Sequence, residues 1–329
     1  AASCSPVSGF GRAKGRRKAF HYFWDSSTYS PFESEDTMKE VIELLVKHVR
    51  PFKVGSREYT VVDDCVILEV ARDLALPPWK VAGDGLEEGI VPLRYAKNLG
   101  ALSTWEQARI CRSCMLICGC GGLGGAIVHL AARLGFGRLV CVDPDKFVPS
   151  NANRQWFYFS FTDGKSKARS VAEFVEDINP LVAVNCMESR VSSDHLKGVD
   201  VVIDALDNVP DRVELARFCE TRRLPLIHGA VRGWWGQVCT LISEHVRIMS
   251  EIYSESRGSG LEEELGVMAP VVSIVASIQV NEAVKIVAGQ EPSYVLKLLY
   301  IDSEKGDFHV LPLTNVGFEA GGTSCKADI

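Results

Sequence analysis

The sequence predicts a doubly wound α/β fold with a mostly parallel sheet, an antiparallel C-terminal part and a small helical N-terminal extension. Three observations carry that expectation. An apolar run at 115–118 (MLIC) has the length of a buried strand and ends in Gly119-Cys120-Gly121-Gly122-Leu123-Gly124, a G-x-G-x-x-G turn. A helical pattern follows (Ile127, Leu130, Ala131, Leu134), stopped by Gly135 and Gly137, and a second apolar run at 139–142 then delivers an acid, Asp143. A third run, 201–203, ends in Asp204-Ala205-Leu206-Asp207-Asn208, and carboxylates at the ends of parallel strands lie on the ligand edge of an open sheet. The arrangement is Rossmann-like.

Bulk properties fit such a chain. Its 329 residues suffice for one large domain with an extension, and 47% hydrophobic against 24% charged residues describes a globular protein with a sizeable core. A net charge of −6 argues against DNA as a partner. Eleven cysteines, most of them in strand-like and helix-like runs, indicate a reducing, cytoplasmic setting instead of a disulfide scaffold.

Taken in order, residues 1–37 hold a basic run (Arg12, Lys14, Arg16, Arg17, Lys18) without helical or strand period, and are expected to be a disordered or non-native tail. Residues 38–90 read as a small, mostly helical extension. Val41, Leu44, Leu45 and Val49 share one helix face, Pro51 stops that helix, and Asp63 or Asp64 can cap the next. The main domain is expected over 91–329. Beyond its β-α-β start come a helix over 209–222, strands at 226–227 and 236–242, and a polar loop at 243–265. An apolar-rich helix at 270–288 is interrupted by Gln279, Asn281 and Glu282 too early for a membrane span, so no membrane partner is expected. Two strands near 298–301 and 308–313 precede a Gly- and Ser-containing tail.

The glycine turn announces a nucleotide. Glycines let the backbone approach phosphate, and the following helix start offers unpaired N–H groups to anionic oxygens. Asp143 stands about 20 residues beyond the turn, the reach that lets an acid meet a ribose diol. These features alone fit an NAD-linked oxidoreductase equally well. What separates the readings is Asn151-Ala152-Asn153-Arg154-Gln155, a polar and cationic cluster just past the acid, followed by Gly164-Lys165-Ser166-Lys167 at the start of a helix. A triphosphate needs side-chain cations for its outer charge; a nicotinamide dinucleotide does not. A Walker loop is excluded, because Phe159 stands where its first glycine is required.

On these residues the chain resembles the MoeB/ThiF/HesA group of ubiquitin-activating-like enzymes. Their pattern of G-x-G-G-L-G, D-x-D-x-V-x-x-S-N-x-x-R-Q, G-x-x-K and D-x-x-D-N is matched by GCGGLG, DPDKFVPSNANRQ, GKSK and DALDN, with Phe147 in place of Val, over roughly 91–312. The N-terminal extension is similar to that of the HesA-like branch. The resemblance implies adenylation of the C-terminal glycine of a small ubiquitin-fold sulfur-carrier protein, with ATP and Mg²⁺ as cofactors and a homodimer as the assembly.

It also implies roles. Gly119, Gly121, Gly122 and Gly124 lie along the phosphates, Asp143 holds the ribose, Asn151 and Gln155 serve as supporting donors, and Asp145 and Asn208, the latter beside Asp207, also belong to the nucleotide site. Arg154 and Lys167 meet the developing charge, and Asp207 holds Mg²⁺. Lys97, in Arg94-Tyr95-Ala96-Lys97-Asn98, stands where the family has an arginine that reaches the other subunit's ATP, and keeps the charge but not the bidentate fork. No zinc is expected, since Cys111-Arg112-Ser113-Cys114 has no second C-x-x-C to complete a site. Glu262, Glu263 and Glu264 occupy the stretch where ThiF-like members carry a cysteine before the element matching residues 266–270. His228 reads as a packed histidine, since adenylation of a carboxylate needs neither an acid nor a base. Two further rivals use the same fold: an enzyme that dehydrates threonylcarbamoyl-adenosine in tRNA, and a non-catalytic nucleotide-binding module.

Overall fold

The computed structural model describes residues 35–242, 248, 249, 253 and 266–313. The expected N-terminal tail up to residue 34, most of the 243–265 loop with its glutamates, and the tail from 314 lie outside the described residues.

The extension begins with α1 (Glu35–Leu45), whose Val41 and Leu45 are buried. It is mostly helical, as read for 38–90, but also carries three short strands that the reading did not name. β1 (Arg50–Val54) and β2 (Arg57–Val62) form an antiparallel hairpin, closed by a Gly55-Ser56 loop in which Gly55 takes φ +60°. Two residues beginning with glycine, between alternating segments, are a hairpin signal that the surrounding helical pattern obscured. After α2 (Asp64–Asp73) and α3 (Pro78–Glu87), β3 (Ile90–Pro92) returns to pair in parallel with β2.

This unit is bolted to the main body. Its core of Leu45, Ile67 and Leu86 runs on into Tyr95, Cys111 and Leu181. Arg94 donates to Asp64 Oδ2 at 2.9 Å and to the carbonyl of Ile178 at 3.1 Å. Asp84 is buried, an expensive place for a carboxylate; Lys80 Nζ at 2.7 Å and Arg112 Nη2 at 2.5 Å both offset its charge.

The main domain starts with α4 (Thr104–Arg112), opened by a Ser103/Glu106 capping box. Then follow β4 (Cys114–Cys118), α5 (Gly122–Leu134), β5 (Arg138–Val142), α6 (Lys167–Ile178), β6 (Ala183–Met187), β7 (Val201–Asp204), α7 (Val209–Arg222) and β8 (Leu226–Arg232). β9 (Trp235–Leu241), α8 (Ala269–Ala288), β10 (Lys297–Asp302) and β11 (Asp307–Pro312) complete it. The sheet order is β11-β10-β9-β8-β7-β4-β5-β6; β4 to β8 run parallel, and β9 to β11 are antiparallel. Strand order therefore reverses between β4 and β7, the switch point where open sheets bind ligands.

α8 is long and apolar enough to cross a membrane by length and composition, but its polar residues are sheet-bound. Gln279 donates to the carbonyls of Asp204 (2.9 Å) and Ile227 (3.1 Å). Glu282, fully buried, accepts from Thr240, Lys285 and the amides of Ser293 and Tyr294. A lipid-facing helix has no such partners. α8 is the helix on which one face of the sheet closes.

Candidate active site

β4 and β7 end side by side, Cys118 opposite Asp204, and the glycine turn leaves from that edge. Gly119 sits at φ +92°, and a Cβ there would lie 2.6 Å from the carbonyl oxygen of Ala205. A Cβ on Gly124 would meet the Gly119 oxygen at 1.7 Å. These two glycines are demanded by the turn itself. Gly121 and Gly122 differ: a Cβ on either would make only ordinary contacts, 3.4 Å from Gln155 Nε2 and 3.5 Å from Val272 Cγ1. Packing does not explain their lack of a side chain. No side chain caps α5 at Gly121, so its first amides keep their donors for an anion.

Asp143 closes β5 with 4% of its surface exposed, and its first duty is to the turn. Oδ2 accepts the Cys120 amide at 2.6 Å and Oδ1 the Asp145 amide at 2.7 Å. Burial pushes its carboxyl above the usual range, against the opposing pull of the Cys120 amide and of Lys167. Lys167, 8% exposed, opens α6; its Nζ lies 3.0 Å from Asp145 Oδ2 and its amide donates to the Asp145 carbonyl at 2.9 Å.

The 151–155 cluster wraps the same place. Asn151 is buried and accepts the Val148 amide, so it holds the loop. Arg154 runs past Gly122, 3.6 Å from the Cβ position, and its guanidinium is spent locally on Asn153 Oδ1 (2.8 Å) and the Ser150 carbonyl (3.2 Å). Gln155 is 7% exposed beside Gly121, and its buried Oε1 has no hydrogen-bond partner. A buried acceptor left open at the head of a helix is what a ligand donor would satisfy.

Asp207 is exposed, with Asn208 Nδ2 at 3.4 Å its one hydrogen-bond partner among the described residues, while Asn208 caps α7 by accepting the Asp211 amide. Among the described residues no group of three or more His, Cys, Asp or Glu side chains gathers for a metal. Mg²⁺ held largely by phosphate oxygens and water needs only one or two carboxylates, so an open Asp207 suits that ion.

Lys97 is not part of this constellation. Tyr95, two residues earlier, packs against Gly135 at the far end of α5, and that helix puts roughly 20 Å between it and Gly122. The C-x-x-C pair is also elsewhere: burial pushes the thiols of Cys111 and Cys114 up to about 12, which keeps them protonated packing groups.

The sequence reading passed over a buried network behind Asp207. Asp204, fully buried, takes His228 Nδ1 on Oδ2 at 2.7 Å and Arg212 Nη1 at 3.3 Å, and the Leu206 amide on Oδ1 at 3.0 Å. His228 Nε2 faces Gln237 Nε2 and the Tyr253 hydroxyl, both at 3.1 Å. Burial raises the Asp204 pKa, but Arg212 and His228 outweigh it and hold it low; burial, with Arg212, lowers that of His228. The set is a carboxylate, a guanidinium and an imidazole whose Nδ1 faces both, 2.7 Å from Asp204 Oδ2 and 3.0 Å from Arg212 Nη1. The available signal was the first acid of DALDN, at the strand terminus proper.

With this geometry in view, the relatives are informative. The family model for the ThiF family matches residues 95–317. The chain belongs to the ThiF family. The SAMP-activating enzyme E1 of Haloferax volcanii is 33% identical over 228 residues, 67% of this chain and 84% of that protein. The molybdopterin-synthase adenylyltransferase of Salmonella typhimurium is 31% identical over 217 residues, 63% of this chain and 86% of its own length. The crystal structure of Escherichia coli MccB with ATP superposes with a TM-score of 0.57 at 17% identity, covering 82% of this chain and 96% of that one, a likeness of fold. The family match takes in the glycine turn, the 151–155 cluster, Lys167 and the Asp204–Asn208 loop, and leaves α1 to β3 outside.

Proposed function

We propose that this ThiF-family chain adenylates the C-terminal glycine of a small ubiquitin-fold sulfur-carrier protein. The carrier's terminal carboxylate oxygen attacks the α-phosphorus of ATP, the bond to the bridging oxygen breaks, and pyrophosphate leaves. The observation that carries the reading is the meeting of an uncapped helix start, two side-chain-free glycines, an open Gln155 oxygen and the Lys167–Asp145 pair at the switch point of the sheet. The names of the relatives agree with it.

Little bond chemistry falls to side chains here; positioning and charge do the catalysis. The α5 amides and Lys167 receive phosphate oxygens, and Arg154 swings from Asn153 and Ser150 to add a second cation. Asp143 fixes the turn, and its carboxylate lone pairs not used by Cys120 and Asp145 are available to ribose hydroxyls. Asp207 would hold Mg²⁺, which would supply positive charge to offset that on pyrophosphate. We further propose a homodimer, in which the exposed Lys97 serves the partner's site because it is too far from its own. A cytoplasmic location accords with the described cysteines, all free thiols.

Pyrophosphate exchange tests the reading: labelled pyrophosphate, ATP, Mg²⁺ and a panel of ubiquitin-fold carriers ending in Gly-Gly. Carrier-dependent label in ATP is the expected result. ATP binding without exchange for any carrier would sink it, and binding of tRNA in the same preparation would move the assignment to the dehydratase class.

A further inference from the structure

Asp207 is exposed and nearly bare of partners, yet a metal-binding carboxylate must be held in place to be useful. What holds it is its backbone. The 205–208 loop is pinned at its start by the Ala205 amide on the Cys118 carbonyl (3.0 Å) and at its end by the Asn208 cap. In between, the fixed points come from one buried ion pair. Arg212, one turn into α7 and 4% exposed, donates to the Leu206 carbonyl, to Gly229 O at 3.0 Å and to Asp204 Oδ2 at 3.3 Å. Asp204 in turn takes the Leu206 amide on its other oxygen, and its own carbonyl is held by Gln279 from α8. Both polar backbone groups of Leu206 are thus tied to one buried ion pair, and the next residue is Asp207.

The other flank of the loop is equally constrained. Ala205 O is the atom that a Cβ on Gly119 would strike, so the loop leans directly on the glycine turn. Because Ala205 is held there and by the Cys118 carbonyl, loosening Leu206 shifts Asp207 and leaves the phosphate amides in place.

We propose that Arg212 is a positioning residue for nucleotide chemistry: forked between Asp204, Leu206 and β8, it sets the 205–208 loop so that Asp207 presents its carboxylate to a magnesium-bound triphosphate. A lysine would keep the charge and lose the fork. The proposal rests on the adenylation reading only for its turnover, since its central measurement is of binding.

The full-length chain, Arg212→Lys, Asp207→Asn and the double variant are titrated with ATP in the presence and absence of Mg²⁺, and each is melted thermally. Wild type gains ATP affinity from Mg²⁺. Arg212→Lys is expected to keep its Mg²⁺-free affinity and lose the gain, as Asp207→Asn does, and the double variant to match Asp207→Asn within about twofold, because the two act through one carboxylate. Where turnover is measurable, exchange falls on the order of 10²-fold, the scale for a reacting charge displaced by about 1 Å. Losses that multiply in the double variant would overturn the proposal. So would a lowered melting temperature with the Mg²⁺ gain intact, no Mg²⁺ gain in wild type, or a full Mg²⁺ gain in Asp207→Asn. If Arg212→Lys is not obtained folded, Asp204→Asn removes the carboxylate that orients the fork and must give the same pattern. Wild type that shows the Mg²⁺ gain but no carrier-dependent exchange supports the positioning role and sinks the adenylation reading alone.

Discussion

The two kinds of glycine in the turn separate folding from function in a single pair of variants. In Gly124→Ala the new methyl starts 1.7 Å from the Gly119 oxygen, and at least 3.0 Å is needed. The atom in the way is backbone, so no rotamer relieves it, and the first turn of α5 must part from the loop. Overpacking of this sort costs about 1–3 kcal/mol, offset by up to about 1 kcal/mol for replacing a helical glycine. The variant should melt lower and bind ATP poorly. In Gly122→Ala the methyl meets Val272 Cγ1 at 3.5 Å and Arg154 Cγ at 3.6 Å, both ordinary contacts. Folding should be untouched or improved by up to about 1 kcal/mol. The methyl nevertheless stands where phosphate is to approach the α5 amides, so ATP affinity should fall at least about tenfold, a difference of roughly 1.4 kcal/mol. Thermal melting and ATP titration of both proteins read the two effects independently. A Gly122→Ala variant that binds ATP as wild type does would refute the placement of phosphate at this helix start. A Gly124→Ala variant as stable as wild type would refute the turn geometry.

Three more outcomes are expected. Lys167→Ala should lower pyrophosphate exchange about 10²–10³-fold, the scale for one electrostatic stabiliser, with Arg154→Ala following it; near-normal turnover in both would remove these residues from the phosphate site. Glu282→Ala should cost about 3 kcal/mol or more in denaturant unfolding, because it strands the buried Thr240 hydroxyl, leaves the amides of Ser293 and Tyr294 without their acceptor and unpairs Lys285; a change below about 1 kcal/mol would mean water replaces the carboxylate. His228 has its folded pKa below the ordinary 6.5, so between the two values the unfolded chain binds the extra proton. Its contribution is therefore complete above pH 6.5 and is lost as pH falls below that, at up to about 1.4 kcal/mol per pH unit. Stability should fall more between pH 8 and pH 5 in wild type than in His228→Leu; parallel pH profiles would mean that folding does not shift the His228 pKa.

What the sequence made legible is whatever short-range patterning determines. Leu139, Val140, Cys141 and Val142 are buried on both faces, so β5 reads as one continuous apolar run with its acid at the tip. β6, paired only on one side and half-buried along its length, carries Asn185 and Cys186 in the middle and gives no comparable signal. The hairpin of β1 and β2 escaped for another reason: it lies between two amphipathic helices, and one glycine-led turn was outweighed by the pattern on either side. The site divides along the same line. Gly119, Gly124, Asp143 and Lys167 are legible because each is bound to a local geometry, a turn, a strand tip or a helix start. Arg212 is not, for its meaning lies in carbonyls at 206 and 229 that only the parallel pairing of β7 with β8 brings together. A buried arginine in a helix that also carries Asp211, Glu214, Arg217, Glu220 and Arg222 looks like one more solvated charge. Its burial is the clue that the loop before α7 is held from behind, and that the exposed Asp207 is aimed instead of free.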